Sequence, residues 1–432
     1  MLASNIQRDQ QGRLCFAGQR IEKLAQEYGT PLYLMDEDRI RLNCRMYLNA
    51  FRESFGENAL PLYASKAASF LQMYRIMAEE GMGVDTVSQG EIFTALRAGF
   101  PTEKITFHGD GKTDEDIRFA VENRVGCIVV DNETELECLE AEAEKHGVTQ
   151  KVLLRITPGI DPHTYEAVNT GKIDVKFGVP IADDQALHFV EKAISMHALD
   201  VEGLHCHVGS MVFDEMVFED TVDVMTAFMK ELYDSFSFVT RKLNLGGGYG
   251  VRYREDDKMI DIPARIHTLA KHLKNRMEEA GLTMPMVLME PGRSIVADAG
   301  MTVYTVSTVK HLKNFKNYVI VDGGMADNPR YCLYRSAYTV LPEKASEESG
   351  EEVFDLVGRC CESGDILQPG VTLPANIRRG DLVAVCTTGA YNYSMASNYN
   401  RLGRPPVVML EQGKSRLAVR RETLDDLCML DL

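Results

Sequence analysis

The 432-residue chain has no tryptophan, no run of 18 consecutive apolar residues and no CxxC pair. Without a long apolar run no transmembrane helix is predicted, and the opening MLASNIQRDQQGR lacks the apolar core of a signal peptide. We therefore expect a cytoplasmic protein with no membrane partner. Because the ten cysteines are irregularly spaced, we expect reduced, buried thiols rather than disulfides or zinc ligands.

Basic residues are also in deficit, since 47 Lys and Arg face 64 Asp and Glu for a formal net charge of -17. Nucleic acids are bound mainly through an excess of basic residues, so we expect no nucleic-acid partner and favour small-molecule chemistry. The run His205-Cys206-His207 suggests a metal-ligand set. Side chains alternate between the faces of a strand, so Cys206 would point away from both histidines, and we predict no metal site.

Short apolar runs rich in β-branched residues recur eight times in the first 290 residues. They occupy residues 62–64, 83–87, 104–108, 127–131, 151–156, 202–208, 243–245 and 286–290. Amphipathic helical patterns lie between most of them, for example from Asp114 and from Glu133. Alternating strands and helices predict a parallel sheet, and eight such units predict a closed (β/α)8 barrel of the TIM type.

After about residue 300 the pattern changes to alternating apolar and polar residues separated by turns, as in TVYTVSTVK, YVIVDGG, DLVAVC and VVMLEQGKSRLAVRR. This pattern is typical of a mostly antiparallel β domain. The runs LCF and PLYLM near the N-terminus could add strands to it. We therefore predict that residues 1–35 join the β domain, that residues 36–300 form the barrel, and that residues 301–432 form the C-terminal β domain. The acidic segment Glu343–Glu352 is predicted to be a solvated loop.

Chemically useful side chains follow several of the predicted barrel strands, at the C-terminal ends where enzymes of this fold place their active sites. They are Lys66, His207, Ser210, Gly246-Gly247-Gly248, Glu290 and Arg293. Each has an ordinary alternative, because a lysine after a strand is usually a surface residue and a histidine can be a hydrogen-bonded core residue.

Their context favours a site that holds a flat, phosphorylated ligand. Lys66 stands among small residues in YASKAAS, and a partly desolvated lysine reacts readily with carbonyl groups. The three glycines let backbone N–H groups approach an anion, and the following segment could add a helix N-terminus. Glu290 would be costly to bury without a partner, which a protonated ring nitrogen would supply.

Eight ordered motifs extend over nearly the whole chain. They are YASKA at Tyr63, HTYEAVNTGKIDVKFG at His163, GLHCHVGS at Gly203, LNLGGGYG at Leu243, EPGRS at Glu290, VDGGMADNPR at Val321, CESGD at Cys361 and TTGAYNYSMASNYNRLGRPP at Thr387. By these motifs the sequence resembles the fold-type III pyridoxal-phosphate decarboxylases and, among them, the diaminopimelate decarboxylases.

The resemblance implies an alanine racemase-like architecture and pyridoxal 5'-phosphate as the cofactor. It further implies decarboxylation of meso-2,6-diaminopimelate to L-lysine and CO2, the last step of lysine biosynthesis. The family forms homodimers with shared active sites, so we expect the same here.

The resemblance also assigns roles to individual residues. It implies that Lys66 holds the cofactor, that His207 stacks on its ring, and that Glu290 pairs with the pyridine nitrogen. The residues implied to hold the phosphate or its surroundings are Ser210, Gly247, Gly248, Arg293 and Tyr391.

Substrate recognition is implied for a second set of residues. Arg330 and Tyr334 match positions that grip a substrate carboxylate, in a pocket to which Arg293 and Tyr391 also contribute. Cys361 and Glu362 match positions supplied across the dimer interface. Cys361 or Lys66 would return a proton to the substrate carbon, while the Glu362 carboxylate would bind the distal ammonium.

Two departures from the family pattern leave the substrate open. Tyr331-Cys332 replaces the usual Pro-Ala, and LYRSAY replaces a typical LYGA and introduces Arg335. Arg335 could add a cation to the pocket or could point to solvent. Alternative activities are a decarboxylase of the same family acting on carboxynorspermidine, arginine or a D-amino acid, a non-catalytic cofactor carrier, and an isomerase on the same barrel.

Overall fold

The structure is a computed structural model that describes residues 2–161, 174–345 and 350–432. Most of the motif at His163 and four positions of the predicted acidic loop lie outside these residues. The chain divides into two units. The barrel unit comprises Asn43–Gly250 and Ile260–Gly292, and the sheet unit comprises Met1–Leu42, Val251–Met259 and Arg293–Leu432.

The N-terminal segment begins with a small three-stranded antiparallel sheet, followed by a helix, a strand and a longer helix. The elements are β1 (Ile6–Arg8), β2 (Leu14–Phe16), β3 (Gln19–Arg20), α1 (Ile21–Tyr28), β4 (Leu32–Asp36) and α2 (Glu37–Phe55). The carboxylate of Asp36 accepts a hydrogen bond from the backbone N–H of Arg39 at 3.0 Å, which satisfies one of the free donors in the first turn of α2.

The barrel unit contains the predicted eight parallel strands, each paired with its neighbours in a closed ring. They are β5 (Ala59–Ala64), β6 (Gly83–Thr86), β7 (Ile105–Phe107), β8 (Cys127–Val130), β9 (Gln150–Thr157), β11 (Leu199–His205), β12 (Lys242–Asn244) and β13 (Met286–Met289), with a short strand β10 (Val179–Pro180) pairing on β9. The ring closes because β13 pairs in parallel with β5. The prediction of a (β/α)8 barrel is therefore confirmed.

Helices alternate with the barrel strands, as the amphipathic patterns predict. They are α3 (Leu71–Glu80), α4 (Gln89–Arg97), α5 (Asp114–Glu122), α6 (Glu133–His146), α7 (Gln185–Ile194), α8 (Met216–Phe236) and α9 (Ile262–Glu279). Helix α5 begins with a reciprocal capping box between Thr113 and Asp116. Helix α6 begins at the Asn132 side chain and ends at Gly147, whose left-handed backbone suits glycine.

The sheet unit is built on the predicted antiparallel β domain. Its remaining elements are α10 (Arg293–Val296), β14 (Gly300–His311), β15 (Asn317–Val321), α11 (Arg330–Tyr334), β16 (Val340–Pro342), β17 (Glu351–Val357), β18 (Ile366–Pro374), β19 (Leu382–Cys386), α12 (Asn392–Met395), β20 (Val407–Glu411), β21 (Lys414–Val419) and α13 (Leu424–Cys428). The main sheet has the order β18-β17-β15-β14-β4-β20-β21, with β19 pairing on β14 and β16. Most pairs are antiparallel, whereas β15 with β17 and β4 with β20 are parallel.

Each unit has its own apolar core. In the barrel, alternating strand residues such as Cys127 and Val129 pack with Leu62, Leu153 and Leu288. The core of the sheet unit joins its N-terminal strands to its central strands, and includes Phe16, Leu34, Met301, Val303 and Val408. Within the described ranges, no helix combines the length and the apolar character needed to cross a membrane.

Candidate active site

Four neighbouring strands bring the predicted barrel residues to one rim. The strands β11, β12, β13 and β5 are consecutive and parallel, so their C-terminal ends meet at the same end of the barrel. Lys66 follows β5, Glu290 follows β13, the glycine run follows β12 and His207 follows β11. Lys66 and Glu290 therefore lie on adjacent strand ends.

Lys66 is exposed on an otherwise buried turn. It is the middle residue of a one-turn 3-10 helix whose other two residues, Ser65 and Ala67, are buried. The Ser65 hydroxyl donates to Glu91 at 2.8 Å, and the backbone N–H of Ala64 donates to the Pro291 carbonyl at 3.1 Å. The turn is thus anchored on both sides while its amine stays accessible.

The carboxylate of Glu290 is buried inside a set of polar side chains that point into the barrel. Asn244 donates its amide N–H to Oε1 at 2.7 Å. The His205 Nε2 lies 3.2 Å from Oε1 and 3.3 Å from Oε2, and the His108 Nε2 lies 3.0 Å from Oε1. No sequence motif marked these three neighbours as partners of Glu290, and His205 stood out only as a metal ligand.

Burial and mutual contacts decide the charges in this set. Burial alone would raise the pKa of Glu290, but the two imidazoles together lower it well below its usual value. Burial lowers the pKa of His205 to about 4. Burial raises the pKa of Asp85, which lies 3.8 Å from His108. At neutral pH, Glu290 is therefore a carboxylate and His205 a neutral hydrogen-bond donor.

Three of these groups could in principle hold a metal ion, because ligand atoms of His108, His205 and Glu290 lie within 4.8 Å of one another. Histidines that bind metals normally donate their other ring N–H to a second partner. The Nδ1 of His205 has no hydrogen-bond partner among the described residues. The three side chains therefore act as polar neighbours that replace water around the Glu290 carboxylate. This role fits the geometry better than a metal centre does.

The ring of His207 is held in place by the glycine loop. Its Nδ1 accepts a hydrogen bond from the backbone N–H of Gly247 at 3.1 Å, which leaves the ring proton on Nε2 in the neutral form. Burial, followed by the nearby Lys66 ammonium, lowers the pKa of His207 well below its usual value. His207 therefore offers a neutral aromatic ring in a fixed orientation close to Lys66.

The glycine loop is packed too tightly for side chains. A Cβ at Gly247 would lie 2.1 Å from the Glu290 carbonyl oxygen, and a Cβ at Gly248 would lie 2.1 Å from the Gly209 carbonyl oxygen. Gly248 also has a φ of 115°, in the region that favours glycine. The expected helix N-terminus directly after the glycines is wrong, because the next helix begins only at Ile262.

Ser210 lies on a second backbone segment that runs beside this loop. The backbone N–H of Val212 donates to the Gly248 carbonyl at 2.9 Å, and the N–H of Gly250 donates back to Val212 at 3.0 Å. Ser210 itself is half-buried. The predicted phosphate residues of the barrel unit, Ser210, Gly247 and Gly248, thus belong to two segments joined by hydrogen bonds.

The predicted Arg and Tyr residues of the sheet unit contact one another. Arg293 donates to the Tyr253 hydroxyl at 2.7 Å, and its guanidinium carbon lies 4.7 Å from the ring centre of Tyr391. The guanidinium of Arg330 lies 4.9 Å from the same ring and 4.3 Å from the ring of Tyr334. Tyr391 thus contacts both cations. Sequence analysis missed Tyr253, which no motif marks.

Cys361 and Glu362 lie on an exposed loop between β17 and β18. The loop is anchored by the buried carboxylate of Asp365, which accepts backbone N–H groups from Met325 at 2.6 Å and Cys360 at 2.7 Å. The Cys332 thiol lies 2.9 Å from the Gly364 carbonyl, so the loop packs on α11, the helix that carries Arg330 and Tyr334.

Arg335 is exposed, and its guanidinium stacks over the ring of Tyr331 at 5.3 Å. Its φ of 54° ends α11 in the left-handed region, where a residue with a side chain is strained. The structure thus agrees with the interpretation that Arg335 points to solvent.

Comparisons with known proteins identify the class. Residues 39–297 match the family profile of the pyridoxal-dependent decarboxylases, specifically the pyridoxal binding domain. The chain therefore belongs to the pyridoxal-dependent decarboxylase family. Its match covers more than half of the sequence, and the predictions of a decarboxylase and of pyridoxal phosphate as its cofactor are confirmed.

Within that family, the chain is similar to proteins named diaminopimelate decarboxylase. One from Bacillus subtilis is 42% identical over 431 residues, covering 100% of this chain and 98% of the relative. The structure from M. jannaschii, in complex with L-lysine, is 33% identical with a TM-score of 0.91 and covers 99% of this chain and 98% of that one. The Helicobacter pylori structure, also in complex with L-lysine, is 34% identical with a TM-score of 0.86. The match covers 95% of this chain and 99% of that chain. The predicted resemblance is confirmed.

The barrel residues suit pyridoxal phosphate on their own chemistry. An accessible lysine amine, a buried carboxylate and a neutral aromatic ring lie on neighbouring strand ends, beside a glycine loop whose packing leaves no room for a Cβ at Gly247 or Gly248. These groups match the aldehyde, the ring nitrogen, the ring face and the phosphate of that cofactor.

Proposed function

We propose that this protein decarboxylates meso-2,6-diaminopimelate to L-lysine and CO2, the last step of lysine biosynthesis. The observation that carries the proposal is the adjacent placement of the Lys66 amine and the ionised Glu290 carboxylate at the C-terminal rim of the barrel. The full-length similarity to diaminopimelate decarboxylases supports the choice of substrate.

In this proposal the barrel residues bind and tune the cofactor. Lys66 holds pyridoxal phosphate covalently, the His207 ring stacks on it, and Glu290 keeps its pyridine nitrogen protonated. The phosphate is held by Ser210, Gly247, Gly248, Arg293 and Tyr391. When bound, the cofactor accepts the electron pair that loss of CO2 leaves on the substrate carbon.

Substrate recognition is assigned to the sheet unit. Arg330 is almost fully buried, and its Nε has no hydrogen-bond partner among the described residues. A buried guanidinium with a free N–H suits a substrate carboxylate, with Tyr334 and Tyr391 stacked against it. A substrate without that carboxylate would leave the charge of Arg330 uncompensated, which supports selection of a diacid.

Cys361 and Glu362 complete the proposed site across a homodimer. Both are exposed on a loop whose base is fixed by Asp365, so they can reach a neighbouring molecule without rearrangement of the sheet. In this arrangement Glu362 binds the distal ammonium of the substrate. Cys361 or Lys66 donates the proton that replaces CO2. We assign the enzyme to the cytoplasm.

The test is product analysis with purified, cofactor-loaded protein. We expect lysine and CO2 in equal amounts from meso-diaminopimelate, and far slower turnover of arginine, carboxynorspermidine and D-amino acids. Absence of lysine despite bound cofactor would contradict the proposal. Faster turnover of one of the other amines would identify a different decarboxylase, and racemised substrate without CO2 would indicate an isomerase.

A further inference from the structure

Asn244 joins two parts of the candidate cofactor site through one buried amide. It is the last residue of β12 and is fully buried. Its Nδ2 donates to Glu290 Oε1 at 2.7 Å, while its Oδ1 accepts the backbone N–H of Gly246 at 2.9 Å. The same side chain therefore contacts the carboxylate of β13 and the first residue of the glycine loop.

Backbone hydrogen bonds hold the three segments in register around this amide. The N–H of Glu290 donates to the Gly246 carbonyl at 2.8 Å, and the N–H of Cys206 donates to the Asn244 carbonyl at 2.9 Å. The backbones are thus already fixed by strand pairing. The orientation of the Glu290 carboxylate is not fixed by these bonds, and it depends on the side chains around it.

The donors around Glu290 are unevenly shared between its two oxygens. Oε1 accepts the short bond from Asn244 and lies 3.0 Å from His108 Nε2 and 3.2 Å from His205 Nε2. Oε2 has only the longer contact with His205 at 3.3 Å among the described residues. A hydrogen bond of 2.7 Å to a charged group is among the stronger kinds in proteins, and the Asn244 amide makes the shortest of these contacts, to Oε1.

We propose that Asn244 is a positioning residue that saturates Glu290 Oε1, so that Oε2 is presented to a protonated ring nitrogen, and that ties this carboxylate to the glycine loop. This inference rests on the proposed function, because it takes the cofactor role of Glu290 as given. In this inference Asn244 acts through Glu290. Its effect is to make the site select a ring with a basic nitrogen.

Two substitutions of Asn244 test this role. Asn244→Leu removes both hydrogen bonds at similar volume. Asn244→Ala also removes both hydrogen bonds and introduces no new polar group beside Glu290. Cys206→Ala is the matched control, because Cys206 is a buried neighbour on the adjacent strand end whose side chain has no hydrogen bond to Glu290.

The experiment measures equilibrium binding of two probes to the apoenzyme and to these variants. The probes are pyridoxal phosphate and its analogue with a carbon in place of the ring nitrogen. We expect the wild-type protein and Cys206→Ala to prefer pyridoxal phosphate by about tenfold or more, as for a hydrogen bond to a charged group. Both Asn244 variants should reduce this preference to about twofold or less.

The possible outcomes test the role of Asn244 separately from the proposed role of Glu290. If the wild-type protein shows no preference between the probes, Glu290 does not pair with a ring nitrogen, and the proposed role of Glu290 fails. If the wild-type preference persists in folded Asn244→Leu or Asn244→Ala, Asn244 does not position the carboxylate, and the inference is overturned while the proposed function stands. Thermal melting identifies a misfolded variant. Should Asn244→Leu not fold, Asn244→Ala alone decides.

Discussion

Replacing Lys112 should destabilise the barrel strongly, although this lysine lies outside the predicted site. Its ammonium is almost completely buried and donates to Glu135 Oε1 at 2.7 Å, to the Val129 carbonyl at 2.6 Å and to the Gly109 carbonyl at 2.8 Å. It thereby ties the loop that carries His108 to the end of β8 and to α6.

The size of the effect follows from the charge that is left behind. Lys112→Met removes the ammonium but leaves the Glu135 carboxylate buried without its cation, which costs about 3–5 kcal/mol. For domains of this size, each kcal/mol lowers the melting temperature by roughly 2–4 °C, so the melting temperature at pH 7 should fall by on the order of 10 °C. Differential scanning calorimetry measures this change.

The pH dependence provides an internal check. Burial raises the pKa of Glu135 in the folded protein, whereas an unfolded glutamate titrates near roughly 4.3. When burial raises the pKa of a carboxyl group in the folded protein, the protein becomes more stable as the pH falls through that raised pKa, because protonation removes the buried charge. The deficit of Lys112→Met should therefore be smaller at pH 5 than at pH 7.

Two further variants serve as controls. The double variant Lys112→Met with Glu135→Leu has no unpaired buried carboxylate at this position. It should recover at least half of the stability that Lys112→Met loses. Lys176→Met breaks an exposed ion pair with Asp110 of 3.0 Å and should cost less than about 1 kcal/mol. A drop of under 2 °C for Lys112→Met at pH 7, or a deficit that grows as the pH falls, would refute the reasoning.

Three more predictions follow from the proposed function and from the backbone of α11. Lys66→Ala should abolish decarboxylation and the absorption of covalently held cofactor, as measured by spectroscopy; retained turnover would remove Lys66 from the mechanism. Glu362→Ala should raise the KM for meso-diaminopimelate at least tenfold, because the distal ammonium loses its carboxylate, and an unchanged KM would contradict that assignment. Arg335→Gly should stabilise the protein by about 0.5–1 kcal/mol, as measured by thermal melting. The substitution relieves left-handed backbone strain of roughly 1–2 kcal/mol, which exceeds the lost stacking of the exposed guanidinium on Tyr331. A lower melting temperature would show that the stacking contributes more than the strain costs.

The barrel could be predicted from the sequence because its signals are local. Each strand is a short apolar run, and each helix has its own pattern and cap, as at Thr113 and Asn132. Lys66 and Glu290 could be placed at one rim because parallel strands all end on the same side. The strands β16 and β18 were not recognised, and both contain proline, which interrupts the alternating pattern.

The neighbours of Glu290 could not be predicted in the same way. His108, His205 and Asn244 lie at or just after the ends of three different strands, and their convergence depends on the side-chain directions inside a closed barrel. Asn244 sits in a motif noted only for its glycines, although a polar residue at the end of an apolar strand was a usable signal. The pairing of β4 with β14 and β20 is likewise non-local, since it joins residues near 35 with residues near 300 and 408.

The division of the chain into two units has a practical consequence for dissecting the protein. The polypeptide leaves one unit for the other after Leu42, Gly250, Met259 and Gly292. A fragment spanning Asn43–Gly292 would carry Val251–Met259 without the rest of the sheet unit, and would separate Tyr253 from Arg293. Simple truncation at either terminus therefore yields neither unit intact, and loss of activity in such fragments would report damaged folding rather than missing chemistry.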